Sequence, residues 1–129
     1  MTKPETKTTK ILLVEDDAFL AGMYVTKLEL EGFTVALASD GEKGLKTALV
    51  ELPDIILLDI ILPKMSGFDV LKNLKADIKT KPIPVILLTN LGQRDDVQKG
   101  LDLGAVDYLI KAHFMPSEVV EKIKKLVNK

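Results

Sequence analysis

Five short apolar runs punctuate this chain: Ile11-Leu12-Leu13-Val14, Thr34-Val35-Ala36-Leu37-Ala38, Ile55-Ile56-Leu57-Leu58, Val85-Ile86-Leu87-Leu88 and Val106-Asp107-Tyr108-Leu109-Ile110. Each is strand-length, and its hydrophobicity is continuous rather than alternating, which predicts strands buried on both faces and hence a parallel sheet. Between the runs the polar and apolar positions follow a helical period. A segment from about Ala18 to Glu31 sets Leu20, Tyr24 and Leu28 on one face and stops at Gly32. A second helix begins after Asp40, a suitable N-cap, and ends before Pro53. A third covers about Phe68 to Lys75, and a fourth about Arg94 to Leu103, stopped by Gly104. The fifth starts at Pro116, a good first-turn residue, and stripes Val119, Ile123 and Val127. Five strand–helix pairs in series predict an α/β, doubly wound (βα)5 sandwich with right-handed crossovers. Residues 10–128 read as one domain and residues 1–9 as a short solvated tail of Thr and Lys.

Every run but the second leads directly into a chemically useful side chain: Glu15-Asp16-Asp17 after the first, Asp59 after the third, Thr89 after the fourth and Lys111 after the fifth. In an open parallel sheet, ligands bind beyond the carboxyl ends of the strands near the switch point in strand order. In the flavodoxin-like order 2-1-3-4-5 the second strand is an edge and misses that site, which fits its lack of such a residue. Carboxylates gathered at one sheet edge repel each other and call for a cation. Hard oxygen ligands with an open side suit Mg²⁺, which keeps waters and accepts phosphate oxygens. A carboxylate can itself be the nucleophile of phosphoryl transfer, forming an aspartyl phosphate. Lys111 adds a mobile point charge and Thr89 a hydroxyl donor.

Composition narrows the alternatives. The 129 residues are 47% hydrophobic and 29% charged, and the net charge is −1, so no basic nucleic-acid surface or polybasic membrane patch is expected. The chain has no cysteine, which removes disulfides and thiolate metal sites and fits a reducing compartment, with a cytoplasmic location expected. The apolar runs fall far short of the ~20 residues of a membrane span. The N-terminal MTKPETKTTK has no apolar core of a secretory signal.

The set VEDD (14–17), LLDIILPKMSG (57–67), LLTN (87–90) and DYLIK (107–111) resembles the response-regulator receiver family over roughly residues 10–128. The resemblance implies Asp59 as phosphoacceptor, fed by a histidine kinase, a phosphotransfer protein or a small phosphodonor. It implies Asp16 as direct Mg²⁺ ligand, Glu15 acting largely through water, and the Ile61 backbone carbonyl as a further ligand. Thr89 resembles the switch hydroxyl, Tyr108 the aromatic that swings inward with it, and Lys111 the lysine that grips phosphate. Pro63 and Gly67 fit the loop after the acceptor. The implied protein is a switch rather than a turnover enzyme, acting on a downstream protein through the surface of helix four, strand five and helix five.

Two positions depart from the family pattern. Alanine follows Lys111 where proline is usual, often after a cis bond. A cis bond here costs about 2.5–4 kcal/mol against roughly 0.5–1 before proline, and the expectation is that Lys111-Ala112 is nonetheless cis to aim the lysine. Asn90 stands where a small residue is usual, and either narrows access to Asp59 or adds a phosphate contact. Ile61 and Leu91, each two residues past a site residue, are apolar and cannot orient an attacking water, which predicts slow self-hydrolysis of the aspartyl phosphate.

Plainer roles are assigned elsewhere: Asp17 as a helix cap or exposed acid, His113 as a surface residue, and Lys122, Lys124 and Lys125 as a solvated helix face. Other functions on this fold are a phosphorylation-independent adaptor, a flavin carrier and an aspartyl-phosphate phosphatase. A flavin carrier wants a phosphate-cradling loop where this chain has three acids. A phosphatase of that type wants its nucleophilic Asp after the first strand and a cap domain. No output domain is read after the fifth helix, so the chain acts through a partner or is part of a longer regulator.

Overall fold

The computed structural model describes residues 8–89, 94–111 and 116–127. Strands β1 (Lys10–Val14), β2 (Thr34–Ala38), β3 (Ile55–Asp59), β4 (Val85–Thr89) and β5 (Asp107–Ile110) alternate with helices α1 (Ala18–Leu30), α2 (Gly41–Glu51), α3 (Gly67–Ala76), α4 (Arg94–Asp102) and α5 (Pro116–Val127). The five strands form one parallel sheet in the order β2-β1-β3-β4-β5. This is the doubly wound, flavodoxin-like arrangement expected from the pattern. Helix ends agree with it within a residue or two, and β5 begins at Asp107 rather than Val106.

Alternation along each strand divides the core in two. Ile11, Leu13, Ile55, Leu57, Ile86 and Leu88 pack on one face with Tyr24 and Leu28 of α1 and Val119 and Ile123 of α5. Leu12, Val14, Ile56, Leu58, Val85 and Leu87 pack on the other with Ala48 of α2 and Val70, Leu71 and Leu74 of α3. Burial on both faces is complete for β3 and β4 but not for β2, where Thr34 and Leu37 are exposed, or for β5, where Tyr108 is exposed. An edge strand has only one neighbour to shield it, so an apolar run such as 34–38 overstates its burial.

Helix starts follow local chemistry. The side chains of Asp17, Asp40 and Ser66 accept the amides of Leu20 (3.0 Å), Lys43 (2.8 Å) and Asp69 (3.2 Å). Gly32 at φ 95° and Gly104 at φ 117° turn the chain after α1 and α4, a left-handed region that glycine enters without Cβ strain. The lysines assigned to a solvated face of α5 divide. Lys122 donates to Asp107 Oδ2 at 2.8 Å and Lys124 lies 3.6 Å from Glu31, while Lys125 is exposed. The fold brings β5 and α1 beside α5, a proximity helical spacing alone does not reveal.

Candidate functional site

The carboxyl ends of β1, β3, β4 and β5 converge on one acidic pocket. Asp59 ends β3 and is buried; Leu88, its register partner on β4, precedes the buried Thr89. Thr89 pairs in turn with Ile110, the residue before Lys111. Glu15, just past β1, is buried and is held by its amide to the carbonyl of Ala38 at 3.0 Å.

Lys111 ties these ends together. Its Nζ lies 2.8 Å from Asp59 Oδ2 and 3.1 Å from Glu15 Oε1. Asp59 Oδ1 accepts the Ile61 amide at 3.2 Å, and Glu15 Oε2 accepts the Asp17 amide at 3.0 Å. Carboxylate oxygens of Glu15, Asp16 and Asp59 all lie within 4.8 Å of one another, with Asp16 exposed at the mouth. Among the described residues, the Lys111 ammonium meets two acids of a cluster of three, leaving a surplus of negative charge made of hard oxygen donors and open to solvent at Asp16. That donor set fits Mg²⁺.

Electrostatics register the crowding. Burial raises the Glu15 carboxyl above its ordinary value. The Asp17 amide opposes that, the Asp59 charge adds to it, and Lys111 opposes it. For Lys111, burial pulls downward, but the hydrogen bond and charge of Asp59 and the charge of Glu15 more than offset it and leave the ammonium above its usual range. Lys111 is thus firmly cationic at neutral pH.

The loop behind Asp59 is set by close approach. The Gly67 amide donates to the Ile60 carbonyl at 2.8 Å, and a Cβ on Gly67 would land on the Asp59 carbonyl oxygen and on Ile60 Cα. Only glycine lets the start of α3 abut the acceptor strand. Gly67→Ala is expected to cost about 2–3 kcal/mol, as overpacking at a rigid contact does, read as a lowered denaturant midpoint; an unchanged midpoint would show that this contact yields freely.

The structure gathers Glu15, Asp16, Asp59 and Lys111, and Thr89 ends the adjoining strand β4. Ile61 joins them through its amide, bonded to Asp59. Tyr108 is 38% exposed, so its ring sits at the surface rather than in the pocket. Asp17 caps α1, as expected. Asn90, Leu91, Ala112 with its peptide bond to Lys111, and His113 lie outside the described residues. Sequence reasoning did not anticipate the Asp17 amide and Ala38 carbonyl that fix Glu15, because both are backbone groups and carry no residue-type signal.

Residues 11–124 match the family described as the response regulator receiver domain. Among curated relatives, the chain is 40% identical over 120 residues to the DNA-binding dual master transcriptional regulator RpaA of Synechocystis, covering 93% of this chain and 49% of that protein. It is 43% identical over 121 residues to the DNA-binding response regulator MtrA of Mycobacterium tuberculosis, covering 93% and 51%. The chain therefore spans about half the length of these relatives. A solved receiver domain of the sensor histidine kinase PA1611 from Pseudomonas aeruginosa, with magnesium coordinated in its active-site cleft, superposes with TM-score 0.87 at 28% identity, covering 95% of this chain and all of that one (100%). The chemotaxis protein CheY4 of Vibrio cholerae superposes with TM-score 0.87 at 27% identity, covering 94% and 100%.

Proposed function

Because the chain belongs to the response regulator receiver domain family, whose members are signalling switches rather than turnover enzymes, we propose that residues 10–128 form a receiver whose Asp59 takes a phosphoryl group in a Mg²⁺-dependent step. The observation that carries this reading is the Lys111 ammonium at 2.8 Å from Asp59, with Glu15 and Asp16 close enough to share a cation with it.

An Asp59 carboxylate oxygen attacks the phosphorus of a phosphohistidine on a histidine kinase or phosphotransfer protein. The P–O bond forms as the P–N bond breaks, and the imidazole leaves. Bound Mg²⁺ would neutralise charge on the acceptor and the incoming phosphoryl oxygens. Asp16 and Asp59 would hold it directly, Glu15 would act through water, and the Ile61 carbonyl would offer a further oxygen. Lys111 passes its contact from Asp59 Oδ2 to a phosphoryl oxygen, and Thr89 donates its hydroxyl to another. The added charge of about −1.5 to −2 biases a two-state protein, with Thr89 and Tyr108 relaying it to the surface of α4, β5 and α5. The output on this reading is contact with a downstream protein, in the cytoplasm. DNA binding is a property named for the full-length relatives, and none of the described helices is long and apolar enough to cross a membrane.

Intact-mass measurement after incubation with acetyl phosphate tests the reading. Uptake of one phosphoryl group with Mg²⁺, and little without it, is expected. No uptake in either condition would favour the adaptor.

The lifetime of the aspartyl phosphate should be long. Ile61 is an exposed apolar side chain beside the acceptor, and it and Leu91 offer no hydrogen bond to an attacking water. Ile61→Asn with Leu91→Glu is expected to shorten the lifetime about tenfold, equivalent to ~1.4 kcal/mol in barrier. Equal decay of variant and wild type would refute the assignment.

A further inference from the structure

Among the described residues, helix α4 is the least embedded of the five. Its one buried residue is Gly100, whereas α1 buries Ala21, Tyr24 and Leu28 and α3 buries Gly67, Val70, Leu71 and Leu74. Leu101 is only partly buried against the core. Helical stability comes mainly from packing, so a helix with this little apolar burial depends on each contact that seats it.

Two such contacts lie side by side. The backbone at Gly100 rests on β4, where a Cβ would come within 2.0 Å of Leu87 Cδ1. Next to it, the Lys99 ammonium sits over the Phe68 ring of α3, 4.5 Å from the centroid, drawn by the negative face of the ring. Asp95, Asp96 and Asp102 stand at the helical spacings that pair charges with Lys99. Among the described residues none of them is ion-paired with it, and Asp102 Oδ1 instead accepts from Gln98 Nε2 at 2.9 Å. Lys99 thus reaches across to α3 although acids of its own helix are near.

Both contacts end beside the acceptor. Leu87 is the register partner of Leu58, which precedes Asp59. Phe68 follows Gly67, whose amide donates to the Ile60 carbonyl at 2.8 Å and whose Cα leaves no room for a Cβ against the Asp59 carbonyl oxygen. The ring is therefore carried on a turn of helix that abuts the Asp59 backbone. This line from Asp59 to α4 runs through α3 and is separate from the one through Thr89 and Tyr108. Lys111 at 2.8 Å from the Asp59 carboxylate marks the arrangement as that of the unmodified acceptor. Resting on the reading of Asp59 as phosphoacceptor, we propose that Lys99 over Phe68 is a latch that holds α4 in the seat of the unmodified protein, against which phosphorylation has to work. A cation over a ring at an exposed site changes an equilibrium about two- to fivefold. That is enough to bias a lightly held helix and small enough for one phosphoryl group to overcome.

Loss of the latch lowers the cost of leaving that seat, so a phosphoryl mimic binds more tightly by the same factor. Lys99→Met, at an exposed position, keeps the side-chain length and drops the charge. Phe68→Leu keeps apolar packing and drops the ring. In Lys99→Met, hydrogen exchange of the α4 amides is expected to run about two- to fivefold faster, and beryllofluoride with Mg²⁺ to bind about two- to fivefold more tightly. Neither effect should appear when Lys99→Met is placed in the Phe68→Leu chain, where the latch is already gone. Unchanged exchange in α4, or an effect of Lys99→Met that persists without the ring, would overturn the proposal. Faster exchange with unchanged or weaker beryllofluoride binding would also overturn it, since the contact would then hold α4 without opposing the switch. A wild type that binds no beryllofluoride would refute the phosphoacceptor reading and the latch with it; a wild type that binds it, matched by both variants, would refute the latch alone.

Discussion

Asp59→Asn is expected to take phosphoryl uptake from near-stoichiometric to none, with acetyl phosphate as donor and with beryllofluoride as mimic, in a protein that remains folded. The amide oxygen lacks the charge that makes a carboxylate a nucleophile. Folding should survive because the substitution removes charge from a crowded place. Glu15 and Asp59 are both buried, and Lys111 faces both. The Glu15 carboxyl is held high by burial, countered by the Asp17 amide, and then pushed further by Asp59; removing the last influence eases Glu15 ionisation. The melting temperature in metal-free buffer should therefore equal or exceed that of the wild type, and the gain from added Mg²⁺ should shrink. Intact mass and thermal melting on the same sample separate chemistry from stability. Continued uptake by Asp59→Asn would place the acceptor elsewhere.

Lys111→Ala should have the largest effect on folding. Removing one partner of a buried ion pair leaves uncompensated charge and costs roughly 3–5 kcal/mol in the general case. Because the pocket mouth is open to water, the lower end, about 3 kcal/mol, is expected here. For a domain of this size that lowers the melting temperature on the order of 10 °C. Mg²⁺ should recover part of the loss by screening the same acids, and does so only if the acids hold it. The sign of the pH dependence follows from the elevated pKa of Lys111, which burial opposes and the two acids produce. Its stabilising contribution is fully present below its ordinary value of 10.5 and is lost as pH rises through the higher folded value. Wild type and Lys111→Ala should therefore converge in stability at strongly alkaline pH. A gap that stays constant through that range would mean the lysine acts through packing of its stem rather than its charge.

What the sequence determined on its own was set by short-range rules. Apolar runs such as Ile55-Ile56-Leu57-Leu58 read as buried strands, Asp17 and Asp40 as helix starts, and Gly32 and Gly104 as helix stops. The strand–helix alternation then limited the sheet to a few topologies, and the acids and lysine at strand ends pointed to one of its edges. What only the tertiary structure decided were distances between residues remote in the chain and the sidedness of each element. Glu15 meets Lys111, and Lys122 meets Asp107, because register and helix docking put them there. Strand β2 is half-exposed because it received one neighbour rather than two. Phe19 and Leu30 on the outer side of α1 stay exposed because a helix on one layer of a sheet can bury only a single face against it. Periodicity is a property of the local chain, whereas burial and charge pairing depend on which surfaces the whole chain brings into contact.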